Sequence, residues 1–174
     1  MIMAAQTSNH NQWVHFYIDD YRFERIWKEP NRYLPMLQRF EGVITPDFSL
    51  YSDMPRAMQI WNTYRNRALA YWLQNNGVKI IPSVNWSGVS CFDFCFEGIE
   101  QGCHVAITSN GCIKNSRNRA IYKEGVAALM QTLAPRGIIH YCTAPESIWL
   151  PYKNQLSNML VIENYHQTVR KKAI

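Results

Sequence analysis

The sequence predicts an α/β fold, a mostly parallel sheet of five to six strands with crossover helices, either open and doubly wound or curled like part of a barrel. Three observations predict it. Short runs of β-branched and aromatic residues recur, segments with apolar residues at helical spacing alternate with them, and Asp, Asn, Ser, Gly and Pro mark the junctions. Strands alternating with amphipathic helices form parallel sheets whose faces the helices cover. Six such units in 174 residues fall short of a full eight-stranded barrel.

Trp13 to Ile18 (WVHFYI) is read as the first strand, stopping at Asp19-Asp20. From Phe23 to Phe40 the residues Phe23, Ile26, Trp27, Leu34, Leu37 and Phe40 keep helical spacing. Pro30 interrupts the run, and Asn31 is placed to cap a second short helix. Val43 to Thr45 is a second strand ending in Pro46-Asp47-Phe48-Ser49. Asp53 then serves as N-cap for Met54, with Pro55 in the first turn. Ala57, Trp61, Tyr64, Ala68 and Tyr71 or Trp72 make one helix face up to Asn76-Gly77. Val78 to Val84 is a third strand, Phe92 to Ile99 a weaker short helix, and His104 to Thr108 a fourth strand. Asn118 to Leu133 carries helical periodicity and ends at Pro135. Gly137 to Tyr141 and Met159 to Ile162 complete the strands, with a short helix between them around Glu146 to Leu150.

With no internal repeat and no low-complexity linker, residues 13–167 read as one domain, after a polar lead-in over 1–12 and before a basic tail over 168–174. The lead-in lacks the features of a secretory signal, and no stretch approaches the roughly 20 apolar residues of a membrane span. Five cysteines, Cys91, Cys95, Cys103, Cys112 and Cys142, are odd in number and irregularly spaced, which fits reduced thiols in a cytoplasmic protein. A net charge of +5 and a pI near 9.0 permit attraction to polyanions.

Several chemistries are set aside by pattern. Cys91 and Cys95 open a Cys-x3-Cys run, but Gly98 stands where the third cysteine of an iron–sulfur pattern belongs. Zinc would need distant residues such as His15, His104, His140 or Cys142, so no metal site is assigned. No phosphate-loop, dinucleotide-binding, nucleophile-elbow or metalloprotease motif occurs. Cys112 follows Ser109-Asn110-Gly111 near a helix start, where a thiol pKa falls, yet a packed inert thiol is the simpler reading.

Parallel sheets and barrels bind ligands at the carboxyl ends of their strands. That rule selects Asp19, Asp20 and Asp47 as carboxylates for acid–base work or for holding a divalent cation. It selects Ser49, Asn85, Trp86, Ser109 and Asn110 as ligand contacts, with Trp86 able to stack on a sugar or base. Arg65, in Tyr64-Arg65-Asn66-Arg67, is a candidate phosphate contact, with Arg56 and Arg67 nearby on the same helix. The same residue types also turn chains between strands and helices, face solvent, or pack in cores.

The stretches Phe16 to Phe23 (FYIDDYRF), Gly42 to Pro55 (GVITPDFSLYSDMP), Ile60 to Gly77, Val78 to Trp86 and Val105 to Cys112 resemble the domain-of-unknown-function family 4417. The resemblance covers roughly residues 13 to 145. It implies a phage, prophage or mobile-element setting in a bacterial host and no particular activity. The expectation is a phage- or mobile-element-associated protein that binds, and in one form hydrolyses, a nucleotide- or sugar-like ligand at its strand ends. A nucleic-acid-binding accessory protein of replication or mobilisation is an alternative, through Arg22, Arg25, Arg56, Arg65, Arg67 and the tail Arg170-Lys171-Lys172. A third is an inhibitor of a host defence protein that docks through Trp13, Trp27 or Trp149.

Overall fold

A computed structural model describes residues 9–163; the basic tail expected over 168–174 lies outside them. The chain divides into two compact units, one running to Asn85 and the other starting at Trp86. Each contains one three-stranded, fully parallel sheet whose strands lie in sequence order.

The first unit is built as β1 (Trp13–Val14), α1 (Asp20–Lys28), α2 (Pro30–Leu37), β2 (Gly42–Ile44), α3 (Arg56–Asn75) and β3 (Ile80–Ile81). Its core joins Val14, Phe16, Val43 and Val78 to Phe23 and Ile26 of α1, Leu37 of α2, and Leu69 and Leu73 of α3. Pro30 does break the helical run, but it occupies the first turn of α2 itself, so Asn31 lies inside the helix and does not cap it. The expected cap of α3 also moves. Pro55, with ψ 137°, is the residue outside the first turn, and Asp53 lies two residues further upstream. At the other end Asn76 and Gly77, with φ +76°, stop the helix as their residue types require.

Strands β1 and β3 are shorter than their apolar runs. Ile18 N donates to Phe16 O at 2.7 Å, which bends the chain out of β1. Pro82 supplies no ladder donor after Ile81. The register is Trp13 with Gly42, Val43 with Ile80, and Ile44 with Ile81.

The second unit runs β4 (His104–Thr108), α4 (Ser116–Leu133), β5 (Gly137–Tyr141), α5 (Glu146–Trp149) and β6 (Asn158–Ile162). The segment 92–99 expected as a short helix is a series of turns after a single 3-10 turn at Val89–Cys91. Helix α4 starts two residues before its apolar periodicity, because Asn115 Oδ1 accepts the Asn118 N–H at 2.8 Å and caps it. In β4 the residues Val105, Ala106 and Ile107 are all buried, as in a strand covered on both faces. Strand β6 is an edge, with Leu160 and Val161 exposed.

Among the described residues the fold is therefore α/β and every strand pairing parallel, but the six strands form two sheets of three where one sheet of five to six was expected. Periodicity reports that a strand exists and not which ladder it joins. Residues 84–103 carry no strand pairing. Among the described residues no helix is long and apolar enough to cross a membrane.

Candidate functional site

In the first unit, the loop after β2 is clamped in place by side chains from three other segments. Asn66 of α3 brackets Phe48: its Oδ1 accepts the Phe48 N–H at 2.8 Å and its Nδ2 donates to Phe48 O at 3.3 Å. Asn85 Nδ2 donates to the same carbonyl at 2.8 Å. Asn62 Nδ2 donates to Ser49 O at 2.7 Å. Asp20, in the first turn of α1, accepts the Ser49 N–H at 3.0 Å and the Ser49 hydroxyl at 2.9 Å. Arg65 lies with its guanidinium 3.6 Å over the Phe48 ring while donating to Glu24 at 2.9 Å and to Asn62 Oδ1 at 2.5 Å. Such a buried, charge-assisted network holds a loop in one conformation.

Five of the residues selected from the sequence thus meet around this loop: Asp20, Asp47, Ser49, Asn85 and Arg65. Asp20, Ser49 and Asn85 spend their polar atoms on the loop backbone or on one another, and Arg65 spends its on Glu24 and Asn62. Asp47 differs. Its Oδ1 accepts the Ser83 hydroxyl at 2.9 Å, and Ser83 Oγ lies 3.3 Å from the Tyr17 hydroxyl. Ser83 is itself fixed by its N–H, which donates to Thr45 Oγ1 at 2.8 Å, and by its carbonyl, which accepts from Arg67 at 3.1 Å. Asp47 keeps partial access to solvent. Even so, loss of hydration around its carboxyl, with the negative charge of Asp20 nearby, pushes its pKa up to about 7, against the lowering effects of Ser83 and Arg67. Asp19 is exposed and makes no capping bond.

Sequence reasoning did not select Tyr17, Thr45, Asn62, Asn66 or Ser83. A signal existed for two of them. Gln59, Asn62, Asn66, Leu69 and Leu73 recur at helical spacing and form the buried face of α3, together with Thr63, Arg65 and Ala70. The expected face is the outer one: Ala57, Trp61, Tyr64 and Tyr71 are exposed and Ala68 and Trp72 half-buried.

Trp86, Ser109 and Asn110 belong to the second unit. Trp86 packs against Tyr122 at 5.6 Å and Phe96 at 6.5 Å between ring centroids, as a half-buried wall of that unit's core. A Cβ at Gly125 would run into its indole. Substituting Gly125→Ala should therefore destabilise the protein by about 1–3 kcal/mol, although alanine is the better helix former. Urea denaturation checks this, and an unchanged or raised midpoint would contradict the packing. Ser109 Oγ donates to Thr143 O at 2.7 Å, joining the ends of β4 and β5, and Asn110 is exposed with its N–H on Thr108 Oγ1 at 3.0 Å. The same unit holds a buried polar chain: Tyr122 Oη is 2.6 Å from His140 Nε2, and His140 Nδ1 is 3.2 Å from Cys142 O. A carbonyl only accepts, so Nδ1 carries the proton, Nε2 is the acceptor, and Tyr122 donates.

Among the described residues no group of three or more His, Cys, Asp or Glu is placed to hold a metal ion. Cys91, buried, accepts the Ser87 N–H at 3.3 Å and has its pKa lowered to about 6, chiefly by a hydrogen bond from Cys95.

A family model described as "Domain of unknown function (DUF4417)" matches residues 1–163. The chain belongs to this family. It is 43% identical over 129 residues to the "Gene 1 protein" of Mycobacterium phage D29, a match covering 74% of this chain and 47% of that protein. It is 40% identical over 129 residues to the "Gene 1 protein" of Mycobacterium phage L5, covering 74% of this chain and 56% of that one. The chain spans about half the length of these curated relatives. No solved structure matches it. The DUF4417 chain is thus similar to phage proteins, in keeping with the setting its sequence implied.

Proposed function

We propose that this phage-type protein binds a small polar ligand of nucleotide or sugar type at the carboxyl ends of β1–β3, with Asp47 as the group that meets a ligand hydroxyl. The observation that carries this reading is the division of labour around the β2 loop. Asp20, Asn62, Asn66, Asn85 and Arg65 are committed to holding the loop, and Asp47, half-buried, is the carboxylate in it that keeps a single hydroxyl donor. Fixed supports around one carboxylate with unused hydrogen-bonding capacity are what a binding or catalytic position needs. A carboxyl with its pKa near 7 suits either role: protonated it donates to a ligand oxygen, and ionised it accepts a proton from a ligand hydroxyl or a water. In the second case the hydrolytic form of the reading follows, with Ser83 and Tyr17 orienting the carboxylate. Arg65, its charge paired with Glu24, packs against the same loop.

Native mass spectrometry of the protein purified from a bacterial host, set against its denatured mass, tests the proposal. The expected result is a small-molecule excess that disappears on denaturation and is lost in Asp47→Asn. A bare native mass, together with no thermal shift from a panel of nucleotides and sugars, would overturn it. So would a ligand retained equally by Asp47→Asn.

A further inference from the structure

Over its first three turns helix α3 turns polar residues inward and aromatic ones outward, before Leu69, Ala70 and Leu73 restore an apolar buried face. Gln59, Asn62, Arg65 and Asn66 are buried, whereas Trp61, Tyr64 and Tyr71 are 48%, 56% and 68% exposed. Burying polar side chains and exposing large apolar ones reverses the usual amphipathic arrangement, and exposed aromatic patches mark interaction surfaces. The rings are organised. Trp61 and Tyr64 lie one helical turn apart, nearly parallel at 24° with centroids 5.5 Å apart. Trp27 of α1 stands across both, at 89° and 5.5 Å to Trp61 and at 79° and 6.2 Å to Tyr64. The last turn of α1, which carries Trp27, also carries Arg25 and Lys28, both exposed and without an ion pair among the described residues.

We infer that the Trp27–Trp61–Tyr64 face is a stacking platform for single-stranded nucleic acid, a surface additional to the Asp47 site. Charge selects the occupant. A second copy docking through this face with two-fold symmetry would set the basic turn of α1 against itself, in a chain already at +5. A polyanion instead gains from Arg25 and Lys28 while its bases cover the rings. Stacking on aromatic side chains tolerates any base, because every base has a π-face, so the platform needs no base-edge reader. A duplex, whose bases are already stacked on one another, does not fit it.

Fluorescence anisotropy of labelled oligothymidylate and oligouridylate with the 174-residue chain tests this directly. Binding is expected at low salt, weakening steeply as salt rises. Trp61→Ala and Tyr64→Ala should each weaken it about ten-fold, Trp61→Phe should retain most of it, and duplex DNA should compete poorly. The stronger of the two oligonucleotides identifies DNA or RNA as the natural partner. Circular dichroism confirms that the variants, altered at exposed positions, remain folded. No binding at low salt overturns the inference, as does equal binding by Trp61→Ala and Tyr64→Ala, or equal binding of duplex. A concentration-dependent dimer in sedimentation that Trp61→Ala abolishes would assign the face to a second copy instead.

Discussion

Replacing Asp47 with asparagine should make the protein more stable at pH 8 by up to roughly 4 kcal/mol, and should change its stability little near pH 4. The sign follows from linkage. The folded-state pKa of Asp47 is raised to about 7 from an ordinary value of 3.8. Below pH 4 both states hold the proton and the group contributes nothing. Between pH 4 and 7 the folded protein binds more protons than the unfolded chain, so stability falls as pH rises. Above 7 the loss is complete, about 3 pH units at roughly 1.36 kcal/mol each. Asparagine does not titrate and removes the slope. Urea midpoints for both proteins across pH 4 to 8 check it, and parallel profiles would show that Asp47 is not strained by its surroundings. Residues that cost stability where they stand are commonly kept for function, so a gain in stability accompanied by loss of ligand would join the two observations at one atom.

Acid should act on the second unit in the opposite direction. Burial lowers the His140 pKa to about 4 from 6.5, with the Cys142 carbonyl pulling weakly the other way. The folded state holds this ring neutral while the unfolded chain protonates. The contribution is fully present above pH 6.5 and is lost as pH falls towards 4, about 3 kcal/mol in all. NMR of the histidine ring protons should show His140 titrating near pH 4, and a titration near 6.5 would refute the buried neutral assignment. Tyr122→Phe should cost about 1–3 kcal/mol at pH 7, because it leaves His140 Nε2 buried without its donor. Removing both partners' polarity together should cost less than the sum, since the pair satisfies itself.

These opposed slopes explain why the pH profile of the whole chain would conceal both groups between pH 4 and 6.5. Asp47 loses stability over that range as His140 gains it. Single variants separate them.

Local chemistry by itself determined the order and type of nearly every element. Pro30 and the Asn76-Gly77 pair end helices through backbone geometry alone, and β4, β5 and β6 coincide within a residue with their apolar runs because each spans five residues of ladder. It also determined the parallel pairing, through the alternation of strands and helices, and singled out Asp20, Asp47, Ser49 and Asn85 in the segments that follow strands. The tertiary structure alone decided which sheet each strand joined, since a strand's apolar run does not encode its neighbour. It decided that α3 buries Asn62, Arg65 and Asn66 and exposes Trp61 and Tyr64: one face offers hydrogen bonds to the β2 loop, and hydrophobicity alone favours the other. It decided which of three similar aspartates is strained. Asp19 is solvated and Asp20 spends its oxygens on Ser49, whereas Asp47 is held among protein atoms with a single hydroxyl donor, and only assembled neighbours can remove a carboxylate's water.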